Sequence, residues 1–255
     1  MTATHPTQTD RLITINADMG EGIAIHSFGN DDALLDFVDT INLACGMHAG
    51  GPSEMGSTVE KALVAGVTIG AHPGLPDLAG FGRRYMALDP DEVRELVLYQ
   101  VGALTGFLRA NGAPLHHIKP HGALYEMVTQ SEPHMEAICD VARIYGVPVL
   151  GLPGTRQESV AKRRGIQFVA EFYADLDYND DGGVIVARRA SPRNLDEVEQ
   201  RIRRALERGE VQTVTGKQLP IRVESLCVHS DIPNAPAVAE RIRSVLDSHL
   251  AGIEP

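Results

Sequence analysis

The stretch Thr40-Ile41-Asn42-Leu43-Ala44-Cys45-Gly46-Met47-His48-Ala49-Gly50 joins an apolar, strand-like run to a glycine-rich turn that carries a histidine. An acidic version of this arrangement, Asp18-Met19-Gly20-Glu21-Gly22, follows the first apolar run. Further histidine motifs of this type are Gly70-Ala71-His72-Pro73-Gly74, Lys119-Pro120-His121-Gly122 and Cys227-Val228-His229-Ser230-Asp231. Ionisable groups at the carboxyl ends of successive strands converge on one mouth of a βα barrel. The repeated placement therefore predicts a βα fold with its chemistry at one end of the sheet.

Short apolar runs alternate with helical patterns along the whole chain. The runs are Leu12–Asn16, Thr40–Ala44, Val67–Ala71, Leu115–Lys119, Val147–Leu150, Ile166–Glu171 and Arg222–Val228. The helical patterns lie near Asp31–Phe37, Ser53–Ala65, Asp89–Asn111, Glu132–Tyr145, Thr155–Arg164, Asn194–Arg208 and Pro236–Leu250. This alternation is typical of βα units around a parallel sheet. Right-handed crossovers would close the sheet into a barrel, and a doubly wound open sheet is the competing architecture.

Local signals support several helix ends and a single domain. Asp89-Pro90 combines an N-cap residue with proline at the first helical position. Ser53 can cap the helix near Ser53–Ala65, and Gly146 can end the helix near Glu132–Tyr145. Because no charge run or serine–glycine linker interrupts the alternation, we expect one domain over residues 11–255. Residues 1–10 are polar, and we expect them to form a disordered leader.

Composition excludes several classes of function. The 255 residues are 43% hydrophobic and include no tryptophan, which indicates an aliphatic core like that of a buried parallel sheet. The formal net charge of -11 argues against a nucleic-acid partner, because such a protein needs a basic face. Three cysteines do not make a disulfide framework, and they favour a reducing compartment. No apolar stretch reaches the roughly 20 residues that span a bilayer, so we expect a cytoplasmic protein with no membrane partner.

Carboxylates and histidines form the first group of candidate site residues. Asp18 and Glu21 lie three residues apart in a glycine-containing turn. One of them could bind a metal or an ammonium group while the other acts as a base, and helix capping is the alternative role. His48 and His72 follow neighbouring runs, and with Asp18 they make a His/His/Asp set for a divalent metal. Their spacing matches no short metal motif, so the sequence leaves open whether a metal binds.

A cation and an imidazole lie together after the fourth run. Lys119 could stabilise a developing oxyanion, and His121 could transfer a proton. Lys119 could equally be the ion-pair partner of Asp18 or Glu21, and the two roles are compatible.

Other charged residues are candidates for substrate binding. Arg83 and Arg84 follow a glycine-containing turn and could clamp a carboxylate or phosphate by bidentate hydrogen bonds, or they could lie on a solvated face. The other candidates follow the sixth and seventh runs, and they are Asp175, His229 and Asp231. The sequence contains neither the Gly-x4-Gly-Lys-Ser/Thr phosphate-binding loop nor the Gly-x-Ser-x-Gly nucleophile elbow.

Taken in order, these motifs resemble the LamB/YcsF family. The matching segments are Asn16–Glu21, Asn42–Gly50, Gly70–Gly74, Pro76–Arg84 and Lys119–Tyr125. The resemblance runs from about Ile13 to Ile242, nearly the whole chain, and its central motifs are long and specific.

The resemblance implies a distorted seven-stranded (β/α) barrel, similar to the glycoside hydrolase/deacetylase superfamily. It also implies the A component of an ATP-hydrolysing 5-oxoprolinase, which works with the B and C components of that enzyme and uses ATP in the assembled complex. The reaction would open 5-oxo-L-proline, or a related lactam, to L-glutamate. The resemblance carries over no assignment of catalytic residues; from their chemistry, the candidates are Asp18, Glu21, His48, His72, Lys119 and His121.

Chemistry suggests roles for these residues in such a reaction. Asp18, with His48 or His72, would position and activate water. Lys119 and His121 would stabilise the oxyanion and protonate the leaving nitrogen. Arg83 or Arg84 would hold the substrate carboxylate.

The sequence departs from the family pattern at three positions beside proposed site residues. Gly51, Leu176 and Ser230 stand where the family usually has Asp, Arg and Gly. A paralogue acting on a related lactam or amide therefore stays open as an alternative. Two further alternatives are a stand-alone metal-dependent amidohydrolase or deacetylase, favoured by the His/Asp-rich mouth, and a non-catalytic protein that binds a ligand or serves as a scaffold.

Overall fold

A curled parallel sheet forms the centre of the molecule. The structure is a computed structural model that describes residues 13–23, 26, 29–186 and 190–252, so the predicted leader lies outside the described residues. Its strands are β1 (Thr14–Met19), β2 (Thr40–Ala44), β3 (Thr68–His72), β4 (Val149–Gly151), β5 (Phe168–Tyr173), β6 (Asp177–Tyr178), β7 (Val184–Ile185), β8 (Glu210–Gln212), β9 (Gln218–Pro220) and β10 (Ser225–His229). Six of them form the main sheet in the order β3-β2-β1-β10-β5-β4, and every neighbouring pair is parallel.

Helices cover the outside of this sheet. They are α1 (Asp31–Leu34), α2 (Pro52–Val64), α3 (Pro90–Ala110), α4 (Gly122–Gln130), α5 (Glu132–Tyr145), α6 (Arg156–Arg163), α7 (Leu195–Arg208) and α8 (Ala235–Ala251). In α3, apolar residues at helical spacing, from Val93 to Leu108, are buried against the core. The backbone N–H of Asp89 donates to Glu92 Oε2 at 2.7 Å, so α3 begins where the Asp89-Pro90 pair predicts. Within the described residues, no helix is long and apolar enough to span a membrane.

The fourth apolar run differs most from its prediction. In the run Leu115–Lys119, only Ile118 forms β-bridges, to Ala71 of β3 and to Val149 at the start of β4. Leu150 N donates to Ile118 O at 3.0 Å, so the run still lies between the two edges of the six-stranded sheet. Pro120 and Pro148 have no N–H to donate, which removes hydrogen bonds on both sides of Ile118 in its pairing with β4.

Several other boundaries differ from the sequence predictions. β1 ends at Met19, so Asp18 lies within the strand and not after it. α2 begins at Pro52 with Gly51 at its N-cap, so the predicted cap at Ser53 is wrong. Helix α4 and the antiparallel pairs β6–β7 and β8–β9 were not predicted, because these segments are short and polar or follow a turn directly.

Candidate functional site

The register of the parallel strands brings the motif residues to one edge of the sheet. Asp18 of β1 lies opposite Asn42 of β2 and His229 of β10. His72 ends β3, and Lys119 and His121 follow in the segment that pairs with β3. Because the carboxyl ends of parallel strands meet at the same edge, side chains that are far apart in sequence become neighbours.

Asp18 is the buried carboxylate at the centre of this edge. Its Oδ1 accepts hydrogen bonds from Asn42 Nδ2 at 2.7 Å and from Lys119 Nζ at 3.0 Å. Its Oδ2 lies 3.3 Å from His72 Nε2 and 3.8 Å from His229 Nε2. Burial alone would raise the pKa of Asp18, but His72 and Lys119 outweigh it and hold that pKa well below its usual range. Asp18 therefore stays ionised at neutral pH.

Lys119 is a buried cation whose ammonium group is already engaged. Its Nζ lies 3.0 Å from Asp18 Oδ1, 2.7 Å from Glu171 Oε1 and 3.2 Å from Cys227 Sγ. Burial would lower the pKa of Lys119, but the carboxylates of Asp18 and Glu171 contribute to raising it well above its usual range. The structure thus gives Lys119 the ion-pair role with Asp18, while a role in oxyanion stabilisation stays a prediction.

A cluster of three histidines and one glutamate lies beside Asp18; we call it the histidine cluster, and it consists of Glu21, His48, His72 and His121. All four side chains are buried. His121 Nδ1 lies 3.0 Å from His72 Nε2 and 3.5 Å from Glu21 Oε1. His48 Nε2 lies 3.4 Å from the same Glu21 oxygen, and its ring stacks on that of His121 with centroids 3.7 Å apart.

Backbone carbonyls determine which nitrogen of two cluster histidines carries a proton. His72 Nδ1 lies 2.7 Å from Lys119 O, and His121 Nε2 lies 2.8 Å from Phe81 O. A carbonyl only accepts, so these two nitrogens are the N–H donors, and in neutral rings the other nitrogens carry lone pairs. Burial lowers the pKa of both His48 and His121 well below the usual value, which keeps these two imidazoles neutral.

Glycines make room for the cluster. Gly20 has a φ of +68°, a conformation that glycine adopts without strain, and it forms the turn between Asp18 and Glu21. A Cβ at Gly74 or Gly82 would overlap the side chain of His48. The Gly74 loop is itself held by a side chain of α3, because Gln100 exchanges hydrogen bonds of 2.9 Å with both the N–H and the carbonyl of Gly74.

His229 and Asp175 form a second charged pair at the same edge. Asp175 is buried, and its carboxylate accepts from the backbone N–H of His229 at 2.7 Å and lies 3.0 Å from His229 Nδ1. Burial alone would lower the pKa of His229, but Asp175 raises it to about 9. His229 is therefore an imidazolium at neutral pH, with Nε2–H directed towards Asp18. Asp175 therefore orients His229, and its predicted role in substrate binding stays a prediction.

The predicted arginines separate in the structure. Arg83 NH2 lies 3.5 Å from Asp231 Oδ2, and about a third of each side chain is exposed at the rim of the site. The Arg84 side chain is 67% exposed and pairs with Asp77, so the structure does not bring it into the site. Two surface cavities, of about 210 and 220 Å³, lie at α7 and β8 and beside the start of β3, away from these residues.

Several site residues were not predicted from the sequence because they lie inside apolar runs. Asn42 Nδ2 donates to Asn16 Oδ1 at 2.8 Å, and Asn16 Nδ2 donates to Ser225 Oγ at 2.8 Å. Together with Glu171 and Cys227 these residues occupy alternate positions of their strands, so their side chains share one face of the sheet. Polar residues at every second position of a buried run were the signal that could have identified them.

The three departures from the family pattern contribute little charge to the site. Gly51 is the N-cap of α2, and the Leu176 side chain is buried in the core. Ser230 is buried, and its backbone carbonyl accepts from Asn30 N at 3.2 Å.

The protein belongs to the α/β class, with a parallel central sheet. The carboxyl edge of this sheet carries buried carboxylates, imidazoles and a lysine, a combination that is typical of enzyme active sites. The family model for the LamB/YcsF family matches residues 13–255, and the chain belongs to that family. A Thermus thermophilus relative, the A component of 5-oxoprolinase, is 42% identical over 248 residues, which cover 95% of this chain and 98% of the relative.

Two other similar proteins match nearly the whole chain, and the second also shares its fold. The lactam utilization protein lamB of Emericella nidulans is 41% identical over 237 residues, covering 91% of this chain and 93% of that protein. A crystal structure of a lactam utilization protein from Thermus thermophilus aligns with a TM-score of 0.85 at 38% identity, covering 96% of this chain and 98% of that one. The family resemblance inferred from the motifs is thereby confirmed.

Proposed function

We propose that this chain is the A component of an ATP-dependent 5-oxoprolinase that opens 5-oxo-L-proline to L-glutamate together with the B and C components. The observation that carries the proposal is the match, over nearly the full length of both chains, to relatives named as 5-oxoprolinase components and lactam utilization proteins. The buried, charged site at the carboxyl edge of the sheet supports a chemical role for this chain. The same proposal includes a cytoplasmic location and a single domain over residues 11–255.

The fold proposed for this function is a distorted seven-stranded barrel. Six strands form the curled sheet, and the bridges of Ile118 to both edge strands support closure by the run Leu115–Lys119. Closure would surround the polar face that carries Asn16, Asp18 and Glu171, and would leave the carboxyl edge as the route to the site.

Asp18 and His229 are the pair best arranged for opening a lactam. Asp18 is ionised, and its Oδ2 lies 3.8 Å from His229 Nε2, which carries a proton. Asp18 would take a proton from the attacking water, whose oxygen bonds to the lactam carbonyl carbon. As the carbon–nitrogen bond breaks, His229 would give its Nε2 proton to the leaving nitrogen. His229 takes the role predicted for His121, because the His121 N–H is held by Phe81 O.

The remaining charged groups would orient the reactants. Arg83, at the rim, would exchange its 3.5 Å pairing with Asp231 for the substrate carboxylate, whereas Arg84 pairs with Asp77 and is not brought into the site. Lys119 fixes Asp18 Oδ1, so that Oδ2 faces the reacting atoms. In the assembled complex ATP would first phosphorylate the lactam oxygen, which makes the carbonyl carbon electrophilic. Ring opening by water then gives an acyl phosphate, which a second water hydrolyses to glutamate and phosphate. No residue of this chain is assigned to the phosphorylation or to the second hydrolysis.

Reconstitution tests the proposal. The chain would be purified with candidate B and C components, and glutamate release from 5-oxo-L-proline would be followed with and without ATP. We expect release only when all three components and ATP are present. An assembled complex that releases no glutamate, or releases it without ATP, would overturn the proposal.

A variant pair tests the role of His229 in the same assay. His229→Asn should lower kcat on the order of 100-fold or more, as loss of a general acid does. His134→Asn is the control, because His134 lies on α5 and bonds Ser131 Oγ and Leu88 O, which are not residues of the site. Equal activity of the two variants would remove His229 from the mechanism.

A further inference from the structure

We infer that the histidine cluster binds one divalent transition-metal ion, with Glu21 Oε1, His48 Nε2, His72 Nε2 and His121 Nδ1 as its ligands. Imidazole nitrogens with one carboxylate oxygen are a donor set that Zn²⁺ favours in proteins. This inference stands on the geometry of the cluster, and it does not depend on the lactam reaction.

The distances within the cluster match a metal coordination shell. Three donor pairs are 3.0 Å, 3.4 Å and 3.5 Å apart, namely His72 with His121, His48 with Glu21, and His121 with Glu21. Ligands about 2.1 Å from a tetrahedral zinc ion are separated by about 3.4 Å. Three of the six donor pairs therefore already stand at nearly the separation that a shared ion requires, and all four donors lie within 4.8 Å of one another.

The direction of the protons leaves an acceptor facing the middle of the cluster. His121 Nε2 donates to Phe81 O, so in the neutral ring the lone pair of His121 Nδ1 lies 3.0 Å from His72 Nε2 and 3.5 Å from Glu21 Oε1. His72 Nδ1 donates to Lys119 O, so a metal ion would bind His72 through Nε2, in place of a proton there. Metal-bound histidines typically donate their second N–H to a carbonyl or carboxylate, as both rings do here.

Buried atoms without partners point to the same site. Among the described residues, neither ring nitrogen of His48 has a hydrogen-bond partner, and neither does Glu21 Oε1, although both side chains are buried. Buried polar atoms are nearly always hydrogen-bonded, so such a group needs an explanation. A metal ion would give a partner to Glu21 Oε1 and to His48 Nε2. Because His48 stacks on His121, its ring must turn out of the stack to present Nε2 to the ion.

The neighbouring group of possible ligands is a poor metal site by comparison. Asp18, Cys227 and His229 also lie close together. Lys119 Nζ lies 3.0 Å from Asp18 and 3.2 Å from Cys227, so a cation already occupies this position. The site inferred here therefore replaces Asp18 of the sequence-predicted His/His/Asp set with Glu21 and His121.

Metal uptake by the isolated chain tests the inference without any activity assay. The protein would be stripped with a chelator, dialysed against ZnCl2, and analysed for metal content by mass spectrometry. We expect one zinc per chain, and a visible absorption band of tetrahedral Co²⁺ when CoCl2 replaces zinc. Nitrogen NMR of the wild-type chain should show shifted signals for His72 Nε2 and His121 Nδ1 after zinc is added. Failure of this test leaves the lactam function standing, and failure of reconstitution leaves the metal site standing.

Three variants locate the ion. His48→Gln and Glu21→Gln should each weaken zinc binding at least on the order of 100-fold, since even the loss of an outer-shell partner costs 10–100-fold. His134→Gln is the control and should bind zinc normally. His48→Gln loses no hydrogen bond of the described structure but gives up its stacking on His121, so thermal denaturation of the metal-free variant must first show that it is folded. No uptake by the wild type, uptake unchanged in both ligand variants, or histidine nitrogen signals unmoved by zinc would each overturn the inference.

Discussion

At the scale of single residues, Lys119 sets the charge balance of the site. Its buried ammonium lies 3.0 Å from Asp18 Oδ1 and 2.7 Å from Glu171 Oε1. Lys119→Met keeps most of the aliphatic stem but leaves both carboxylates buried without their counter-charge. Because breaking a buried ion pair is strongly destabilising, we expect the free energy of unfolding to fall by roughly 3–5 kcal/mol. Urea denaturation measures this change.

Lys61→Met is the matched control for this prediction. Lys61 pairs with Asp32 at 2.7 Å, but at least half of each side chain is exposed. An exposed pair contributes only about 0–1 kcal/mol. If Lys119→Met costs no more than Lys61→Met, the buried network does not stabilise the fold through its ion pairs.

The His229–Asp175 pair makes stability depend on pH. Burial alone would lower the pKa of His229, but Asp175 raises it to about 9, above the value of 6.5 for an unperturbed histidine. The stabilisation is therefore complete below the unfolded-state pKa and is lost as the pH rises through the folded-state pKa. Between these two values we expect the free energy of unfolding to fall by roughly 1–3 kcal/mol. Denaturation at a series of pH values measures the slope.

Asp175→Asn isolates the origin of this slope. The amide keeps the shape of the carboxylate but removes the charge that raises the pKa of His229. The decline in stability towards alkaline pH should therefore flatten in the variant. A slope equal to that of the wild type would assign the effect to another group.

The sequence was enough to predict which residues form the site, but not what each of them does. Histidines and carboxylates after apolar runs indicated which side chains would meet, and the structure brings Asp18, Glu21, His48, His72, Lys119 and His121 together. Their catalytic roles stay predictions. The direction of each N–H depends on distant carbonyls such as Phe81 O, and spacing along the chain carries no information about them.

At the scale of secondary-structure elements, Gly70 determines how β3 packs against the next segment. A Cβ at Gly70 would overlap the ring of His117, which is buried and bonded to Asn42 Oδ1 at 2.5 Å. Gly70→Ala should therefore destabilise the protein by roughly 1–3 kcal/mol, as overpacking of a core does. Thermal and urea denaturation measure the effect.

Gly106→Ala, within a helix, should have the opposite effect on stability. Gly106 lies in α3, and nothing lies within 4 Å of the Cβ that alanine would add. Alanine is the better helix former, so this variant should be stabilised by about 0.5–1 kcal/mol. Similar changes in both variants would show that the space around Gly70 is not the limiting factor.

Element boundaries were predictable where a local signal exists. The Asp89-Pro90 start of α3 and the end of α5 at Gly146, with a φ of +68°, are confirmed. The run Leu115–Lys119 has the composition of a strand, but its ladder is shortened by prolines that lie far apart in sequence, Pro120 and Pro148. Whether such a run becomes a regular strand depends on the segments that pair with it. The sequence pattern of the run alone does not identify those segments.

At the scale of the whole molecule, the alternation of apolar runs and helical patterns was enough to predict a parallel α/β fold. The strand order was not predictable in the same way. β10, the last strand of the chain, pairs with β1, and this neighbourhood brings His229 beside Asp18. The proposed reaction depends on the Asp18–His229 pair, and this pair exists because the last strand lies beside the first.

The isolated chain should neither hydrolyse ATP nor release glutamate from 5-oxo-L-proline. The sequence has no phosphate-binding loop, and the buried site cation, Lys119, is already paired with the carboxylates of Asp18 and Glu171. Phosphate release by the purified chain measures this, with Asp18→Asn as the control for contaminating enzymes. We expect equal background rates from both proteins, because the chemistry needs the B and C components. Phosphate release that requires 5-oxo-L-proline and disappears in Asp18→Asn would show that this chain alone carries the complete active site.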